Sequence, residues 1–250
     1  MDDVVTAALA IIGDEILSGR TEDANLAYLA RWLNEEGIRL TEVRVVADDE
    51  VAIGKAINAL RNSHDYLFTT GGIGPTHDDI TVDSIAVALG LGVECHPQSL
   101  AMLEDYYGKD ALTDDQKRMA RVPAGADLIP NPMSGAPGIR IDNIFVLAGI
   151  PGIMRGMLEG LRGQLIGGTP MQSDTIVVYA PESDIAGFVR QVQDQNPDVS
   201  VGSYPFFRKG RVGAALVVRG TESGRLAEVL AALTYQADKL GLESEAESTG

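Results

Sequence analysis

The side chains best suited to chemistry follow a short apolar run and a glycine-rich loop within residues 65–81. The loop and its continuation read Gly71-Gly72-Ile73-Gly74-Pro75-Thr76-His77-Asp78-Asp79-Ile80-Thr81. Glycines let a backbone approach a ligand closely, and the N–H groups that begin a helix attract anions. Two aspartates beside a bound phosphate would repel it, and Mg²⁺ is usually held by one or two carboxylates together with phosphates. The stretch therefore predicts a metal–phosphate site, with capping of the following helix as the alternative role for one aspartate.

A second acidic pair, Asp14 and Glu15, follows Gly13 at the end of an apolar run over residues 4–12. Open α/β sheets bind ligands at the carboxyl ends of their strands. If the two pairs converge, Asp14, Glu15, Asp78 and Asp79 supply enough oxygens for a divalent metal, and Asp14, Asp78 and Asp79 are the candidate catalytic residues. A solvated turn is the alternative interpretation of Asp14 and Glu15.

Strand and helix patterns alternate through the first two thirds of the chain. Apolar runs over residues 4–12 and 66–68 and an alternating pattern over 38–46 each precede an amphipathic pattern, over 23–36, 82–89 and 50–60 respectively. Such repeated strand–helix pairs favour crossover connections and a mostly parallel sheet. Residues 122–138 form a long turn-rich segment, followed by a hairpin over 139–147 and a helix over 153–165. The pattern predicts an α/β domain over residues 1–166.

The pattern changes beyond the Gly-Gly-Thr-Pro segment at 167–170. A strand, a helix, two strands and a helix follow, which predicts a small α+β domain over residues 167–241. The Glu- and Ser-rich segment 242–250 is predicted to be a disordered tail.

Composition narrows the classes of function. The chain has 250 residues, 36 Asp and Glu against 20 Lys and Arg, and a formal net charge of −16. This surface is poorly suited to nucleic acid, whose binding depends on phosphate contacts. The single cysteine, Cys95, permits no internal disulfide and is expected to be a small buried residue. An acidic N-terminus and the absence of a long apolar run favour no membrane partner and a cytoplasmic location.

Four segments together resemble a known family. They are Gly13-Asp-Glu-Ile-Leu-x-Gly19, Thr70-Gly-Gly-Ile-Gly-Pro-Thr-x-Asp-Asp-Ile-Thr81, Asn131-Pro-x-x-x-Ala-Pro-Gly138 and Gly149-Ile-Pro151. In this order and spacing they resemble the N-terminal domain of the competence/damage-inducible protein A (CinA) family, a molybdopterin-binding fold shared with MoaB and MogA. The resemblance covers residues 4–165. The C-terminal part is similar to the segment that follows this domain in stand-alone relatives similar to FAD synthase.

The resemblance implies a three-layer α/β fold that binds an anionic pterin or nucleotide. CinA-type relatives hydrolyse nucleotide pyrophosphates such as ADP-ribose or FAD with a divalent cation (Mg²⁺, Mn²⁺ or Co²⁺) and often K⁺, whereas MoaB/MogA-type relatives adenylylate molybdopterin. Relatives form dimers and trimers, so a homo-oligomer is expected. The implied substrate-binding residues are Gly13, Asn25, Thr70, Gly71, Gly72, Gly74, Pro75, Thr76, Thr81, Ser134, Ala136, Pro137, Gly138, Gly149 and Pro151.

Two departures from the family pattern bear on catalysis. Ile153 stands where the family elbow usually has a glutamate, and Ala24 replaces the common threonine or serine between Asp23 and Asn25. Three classes of function follow. The first is a metal-dependent nucleotide pyrophosphatase, and the second is a molybdopterin- or nucleotide-binding protein without hydrolysis. The third, a structural subunit or scaffold, is disfavoured by the intact aspartates.

Three further groups have both a functional and an ordinary interpretation. Lys117, Arg118 and Arg121 form a basic face that is either solvated or meets a phosphate or another subunit. His77 is either a proton donor or a residue at the rim of the site. The segment containing Arg208 and Arg211 is either a solvated hairpin tip or a clamp over the ligand.

Overall fold

The computed structural model describes residues 4–208 and 210–247, and the chain divides into two compact units, Met1–Gly168 and Thr169–Gly250. The strands of the first unit are β1 (Thr6–Ile12), β2 (Arg39–Val46), β3 (Tyr66–Thr70), β4 (Val93–Cys95), β5 (Arg121–Pro123), β6 (Asp127–Ile129), β7 (Gly138–Ile141) and β8 (Ile144–Leu147). Its helices are α1 (Asp14–Leu17), α2 (Leu26–Glu35), α3 (Glu50–Ser63), α4 (Thr81–Leu89), α5 (Pro97–Tyr107), α6 (Asp114–Lys117), a 3₁₀ helix (Arg118–Ala120) and α7 (Pro151–Gly160).

A six-stranded, mostly parallel sheet organises the first unit. Its strand order is β2-β1-β3-β8-β7-β6, and the first four strands run parallel. The strands β7 and β6 each run antiparallel to their neighbour. The carboxyl ends of β1, β3 and β8 consequently lie side by side at one edge of the sheet.

Strand β1 is buried on both faces, and its alternating side chains define two cores. Leu9 and Ile11 pack with α2 and α7, whereas Ala8, Ala10 and Ile12 pack with α3 and α4. Because successive side chains of a strand point to opposite faces, one apolar run can hold helices on both sides of the sheet. The unit is therefore the predicted three-layer α/β fold.

Three local expectations are wrong. The segment 122–138 contains β5 and β6, and β6 extends the main sheet through its pairing with β7. Helix α4 begins at Thr81, in agreement with the pattern over 82–89, but Asp78 and Asp79 lie in a turn before it and not at its start. Cys95 is exposed on the short strand β4 and is not a buried residue.

The second unit is an antiparallel sheet packed against two helices, as the sequence predicts. Its elements are β9 (Gln172–Val178), α8 (Glu182–Gln195), β10 (Ser200–Arg208), β11 (Arg211–Gly220), α9 (Ser223–Lys239) and β12 (Ser244–Glu247), with strand order β10-β11-β9-β12. Its core joins alternate residues of β9 and β11 to α8 and α9.

The end of the second unit corrects the expected tail. Residues 244–247 pair with β9 as the edge strand β12, so the prediction of disorder is wrong there, and residues 248–250 lie outside the described part of the chain. The guanidinium of Arg211 binds the Glu243 carboxylate at 2.6 and 3.1 Å and lies 3.7 Å from the ring centroid of Tyr179. Arg211 is thus engaged within its own unit. Among the described residues, no helix is long and apolar enough to cross a bilayer.

Candidate functional site

A cleft of about 560 Å³ opens where β1, β3 and β8 end. Its volume is in the usual range for sites that bind small molecules. The lining residues that sequence analysis had singled out are Glu15, Asn25, Thr70, Gly71, Gly72, Gly74, Pro75, Asp79, Ser134, Ala136, Gly149, Pro151 and Ile153. Residues from four separate segments of the chain therefore meet at one place.

The glycine loop adopts a backbone that other residues could not easily follow. Gly71 and Gly72 have φ values of 98° and 66°. A Cβ atom on Gly71 would overlap with the carbonyl oxygen of Ile12, and one on Gly72 would overlap with the Thr81 hydroxyl. The glycines are needed for the path of the loop as well as for access to a ligand.

Thr81 holds the glycine loop in place through two hydrogen bonds. Its N–H donates to the Gly72 carbonyl at 3.0 Å, and its hydroxyl donates to the Gly71 carbonyl at 2.9 Å. Its side chain is fully buried and does not line the cleft. The structure thus gives Thr81 a supporting position, although the resemblance implied contact with the ligand.

Asp78 and Asp79 occupy the turn before α4, and neither caps that helix. The N-cap residue is Ile80, and it makes no capping bond through its side chain. The Asp79 carboxylate instead accepts from the N–H of Thr76 at 2.8 Å and from the Thr76 hydroxyl. Asp79 lines the cleft, whereas Asp78 and Thr76 are exposed outside it.

Two buried polar atoms in the cleft wall have no hydrogen-bond partner among the described residues. They are Oδ1 of Asn25 and Oγ1 of Thr70, in side chains that are only 3% and 1% exposed. The amide nitrogen of Asn25 donates to the Gly149 carbonyl at 2.7 Å. Because that carbonyl can only accept, the orientation of the amide is fixed and its oxygen is left as an acceptor.

The opposite wall is shaped by Asn131, which sequence analysis quoted in a motif but did not assign to the site. Its amide nitrogen donates to the Ser134 hydroxyl at 2.6 Å and to the Ala136 carbonyl at 2.7 Å. Its side-chain oxygen accepts from the N–H groups of Met133 and Ser134. Asn131 therefore holds the loop that brings Ser134 and Ala136 to the cleft.

Asp48 joins the acidic residues at the end of β1, although its sequence context suggested only a helix cap. It accepts from the N–H of Asp14 at 2.9 Å, whereas Asp49 caps α3 through the N–H of Ala52. Partial burial raises the pKa of the Asp48 carboxyl, and the negative charges of Asp14, Glu15 and Asp78 raise it further. Asp48, Asp14, Glu15 and Asp78 thus form a cluster of like charges, whereas the convergence of Asp14, Glu15, Asp78 and Asp79 on one metal stays a prediction.

Some of the predicted site residues lie outside the cleft. Gly13 and Asp14 stand beside it at the start of α1, and Gly138 begins β7, where a Cβ atom would meet the Val146 carbonyl. Pro137 lines a smaller pocket that shares Ile73 and Gly74 with the cleft. His77 is almost fully exposed and is not part of the lining. Two lining residues that sequence analysis missed, Tyr107 and Met119, come from segments with no distinctive spacing.

The charged side chains among the described lining residues of the cleft are all acidic. Glu15, Glu22, Asp23 and Asp79 line the cleft, and no described lining residue is Lys, Arg or His. The described residues contain no group of three or more His, Cys, Asp or Glu side chains arranged to hold a metal ion. They therefore do not form a complete metal site, and any divalent cation here would need oxygens from the ligand as well.

These features define a class: an α/β protein whose ligand cleft lies at the carboxyl ends of parallel strands, beside a glycine loop. A family model described as "Probable molybdopterin binding domain" matches residues 8–166, and one described as "FAD synthase, middle domain" matches residues 170–245. The chain belongs to the molybdopterin-binding domain family.

Individual proteins agree with this assignment. A protein from Aeropyrum pernix is 33% identical over 232 residues, covering 87% of this chain and 84% of the relative. A protein from Pyrobaculum calidifontis is 35% identical over 211 residues and covers 80% of each chain. The crystal structure of CinA from Thermoplasma acidophilum, described as having unknown function, is 32% identical with a TM-score of 0.61, and the match covers 64% of this chain and 98% of that one.

Proposed function

We propose that the cleft binds a phosphorylated pterin or nucleotide. The observation that carries the proposal is the pair of unpartnered buried atoms in its wall, Oδ1 of Asn25 and Oγ1 of Thr70. Leaving a buried polar atom unpaired costs about 1–3 kcal/mol. A ligand that supplied the missing partners would remove this cost.

The chemistry of these two atoms limits the bound group. Since the Asn25 oxygen can only accept, it requires an N–H or O–H from the ligand. The Thr70 hydroxyl can donate or accept. Pterins and nucleotides both offer ring N–H groups, amino groups or hydroxyls of this kind.

The glycine loop supports binding of the phosphate part. The backbone N–H groups of Gly72, Ile73 and Gly74 donate to no other described residue, and all three residues line the cleft. Successive free backbone N–H groups form a favourable environment for an anion. The loop thus offers hydrogen bonds to phosphate without a positively charged side chain.

Binding is tested by calorimetric titration of the full chain with ADP-ribose, FAD, NAD and coenzyme A, with and without Mg²⁺. We expect at least one phosphorylated compound to bind in a one-to-one ratio. In wild-type protein, ligand should protect the amide groups of 70–74 from hydrogen exchange, whereas those of the second unit provide the control. Failure of all four compounds to bind, with and without Mg²⁺, would refute binding of a nucleotide.

A second candidate function, metal-dependent hydrolysis of a nucleotide pyrophosphate, is favoured by the position of Glu15 and Asp79. Both carboxylates belong to the same cleft as the glycine loop. Two carboxylates are enough for Mg²⁺ when the ligand's phosphates complete the coordination. A cation bound there would polarise the phosphoanhydride and lower the pKa of an attacking water.

Hydrolysis is tested by incubating each compound with Mg²⁺, Mn²⁺ or Co²⁺ and measuring monophosphate products. We expect the E15Q and D79N variants to lose turnover and D78N to retain it, because Asp78 lies outside the cleft. If compounds bind but none is turned over, hydrolysis is refuted and only the non-hydrolytic binding function remains.

Homo-oligomer formation and a cytoplasmic location stay predictions.

A further inference from the structure

Three basic side chains near the 3₁₀ helix differ in their ion pairs. Lys117 binds the Asp114 carboxylate at 2.8 Å, and Arg121 binds Asp83 in a bidentate pair at 2.6 and 3.1 Å. The Arg118 side chain makes no ion pair or hydrogen bond with any described residue, although it is half-buried. Of the predicted basic face, Arg118 therefore keeps its charge and its donors available.

Arg118 lines a pocket that borders the glycine loop. The residues Ile73, Gly74 and Asp79 belong to both this second, smaller pocket and the main cleft. Met119, the neighbour of Arg118, also lines both. The two cavities therefore adjoin at these shared residues, and Arg118 lies on the side of the second pocket.

The position of Arg118 matters because of the charges around it. The chain carries a formal net charge of −16, yet none of its described carboxylates pairs with the Arg118 side chain. The main cleft supplies four carboxylates and, among its described lining residues, no cation. A phosphate held at Gly74 would lie beside the pocket that Arg118 lines, and the Arg118 side chain has no other partner among the described residues. A guanidinium suits this role because its fork of donors matches phosphate oxygens.

We propose that Arg118 binds a phosphate group of the ligand at Gly74, where the main cleft and the second pocket meet. This inference rests on the proposed function, because it names the residue that recognises the phosphorylated part of the same ligand. The chemical class is a phosphate mono- or diester attached to a nucleoside or pterin. Arg121 lines the same pocket, but its charge is already neutralised by Asp83.

The test compares R118M with K117M, which removes one positive charge from the adjacent residue. Each protein is titrated with ADP-ribose and FAD, and with adenosine and riboflavin, which lack phosphate. We expect R118M to weaken binding of the phosphorylated compounds by roughly tenfold or more, as for loss of a charge-assisted hydrogen bond. Binding of adenosine and riboflavin should not change, and K117M should match wild type. R118Q repeats the measurement if R118M does not fold.

The outcomes separate this proposal from the one on which it rests. If wild type binds no phosphorylated compound, the proposed function fails and the role of Arg118 fails with it. If wild type binds and R118M binds equally well, only the role of Arg118 is refuted. An equal loss for compounds with and without phosphate, or an equal loss in K117M, would also refute it.

Discussion

Replacing Thr70 by valine should make the protein more stable and a poorer binder. Thr70 is 1% exposed and its hydroxyl has no partner among the described residues. Valine has nearly the same shape and a high strand propensity, so the substitution removes the unpaired hydroxyl with little change in packing. The protein without ligand therefore loses an unfavourable group, whereas the complex loses a hydrogen bond.

The neighbouring residue provides the matched control. Thr69 lies on the same strand, is fully buried and also has an unpartnered hydroxyl, but it does not line the cleft. Relief of an unpaired hydroxyl should raise the free energy of unfolding by about 1–2 kcal/mol in T70V and in T69V. For a chain of this size each kcal/mol corresponds to roughly 2–4 °C in the unfolding midpoint. Only T70V should weaken ligand binding, by about fivefold for one lost hydrogen bond.

Urea unfolding followed by circular dichroism measures the stability of both variants, and calorimetric titration with ADP-ribose measures binding. The reasoning is refuted if T70V is less stable than wild type, because its hydroxyl would then have a partner in the folded protein. It is also refuted if T69V loses as much affinity as T70V, since the effect would then come from the strand and not from the cleft.

Two further substitutions test the loop and the acidic cluster. G71A should lower the free energy of unfolding by about 2 kcal/mol or more, because the strain of a positive φ adds to the overlap of the new Cβ atom with the Ile12 carbonyl. G19A is the control: Gly19 has a φ of 70° but open space around it, so this variant should show only the smaller cost of the positive φ. The pKa of Asp48 is raised above its ordinary 3.8, so its ionised form opposes folding as pH rises through that value and the opposition disappears at lower pH. D48N should therefore raise the unfolding temperature at neutral pH and match wild type in acid. D49N, which keeps a capping oxygen, should change little at either pH. An equal gain from D49N would exclude relief of the cluster as the cause.

The elements with strong periodicity could be predicted from the sequence. The fully apolar run of β1 required burial on both faces, and the helices α2 and α3 followed from apolar spacing. The second unit was predictable for the same reason. These features depend on residues close together in the chain, and the physical signal is therefore local.

The elements that were missed depend on distant partners. The three-residue strand β6 is defined by pairing with β7, and β12 is defined by pairing with β9 across a long stretch of sequence. An acidic, Ser-rich segment gives no local sign that it will complete a sheet. Asp48 was missed for a similar reason, since its proximity to Asp14 arises from the parallel pairing of β1 and β2.

At Asp79, two local roles of an aspartate compete: capping a helix and closing a turn. Asp79 has the residue type and approximate position of a helix cap, yet it closes a turn with Thr76, and α4 begins later at Thr81. Short side chains such as aspartate bond equally well to nearby N–H groups in a turn. Sequence analysis located the group of residues but could not decide which N–H group the carboxylate would accept from.

The negative charge of the cleft can be offset in two ways, by a divalent cation or by Arg118, and the two predict different effects of Mg²⁺ and salt on ligand affinity. Four carboxylates line the cleft, and the glycine loop offers only neutral N–H donors. If a divalent cation offsets the repulsion between Asp79 and phosphate, affinity for ADP-ribose should rise with Mg²⁺ and fall on chelation. If Arg118 is sufficient, affinity should be indifferent to Mg²⁺ but should fall with added monovalent salt, because exposed charge pairs are screened. Titration of wild type and R118M under both conditions distinguishes them, since a cation-dependent site keeps its Mg²⁺ response when Arg118 is absent.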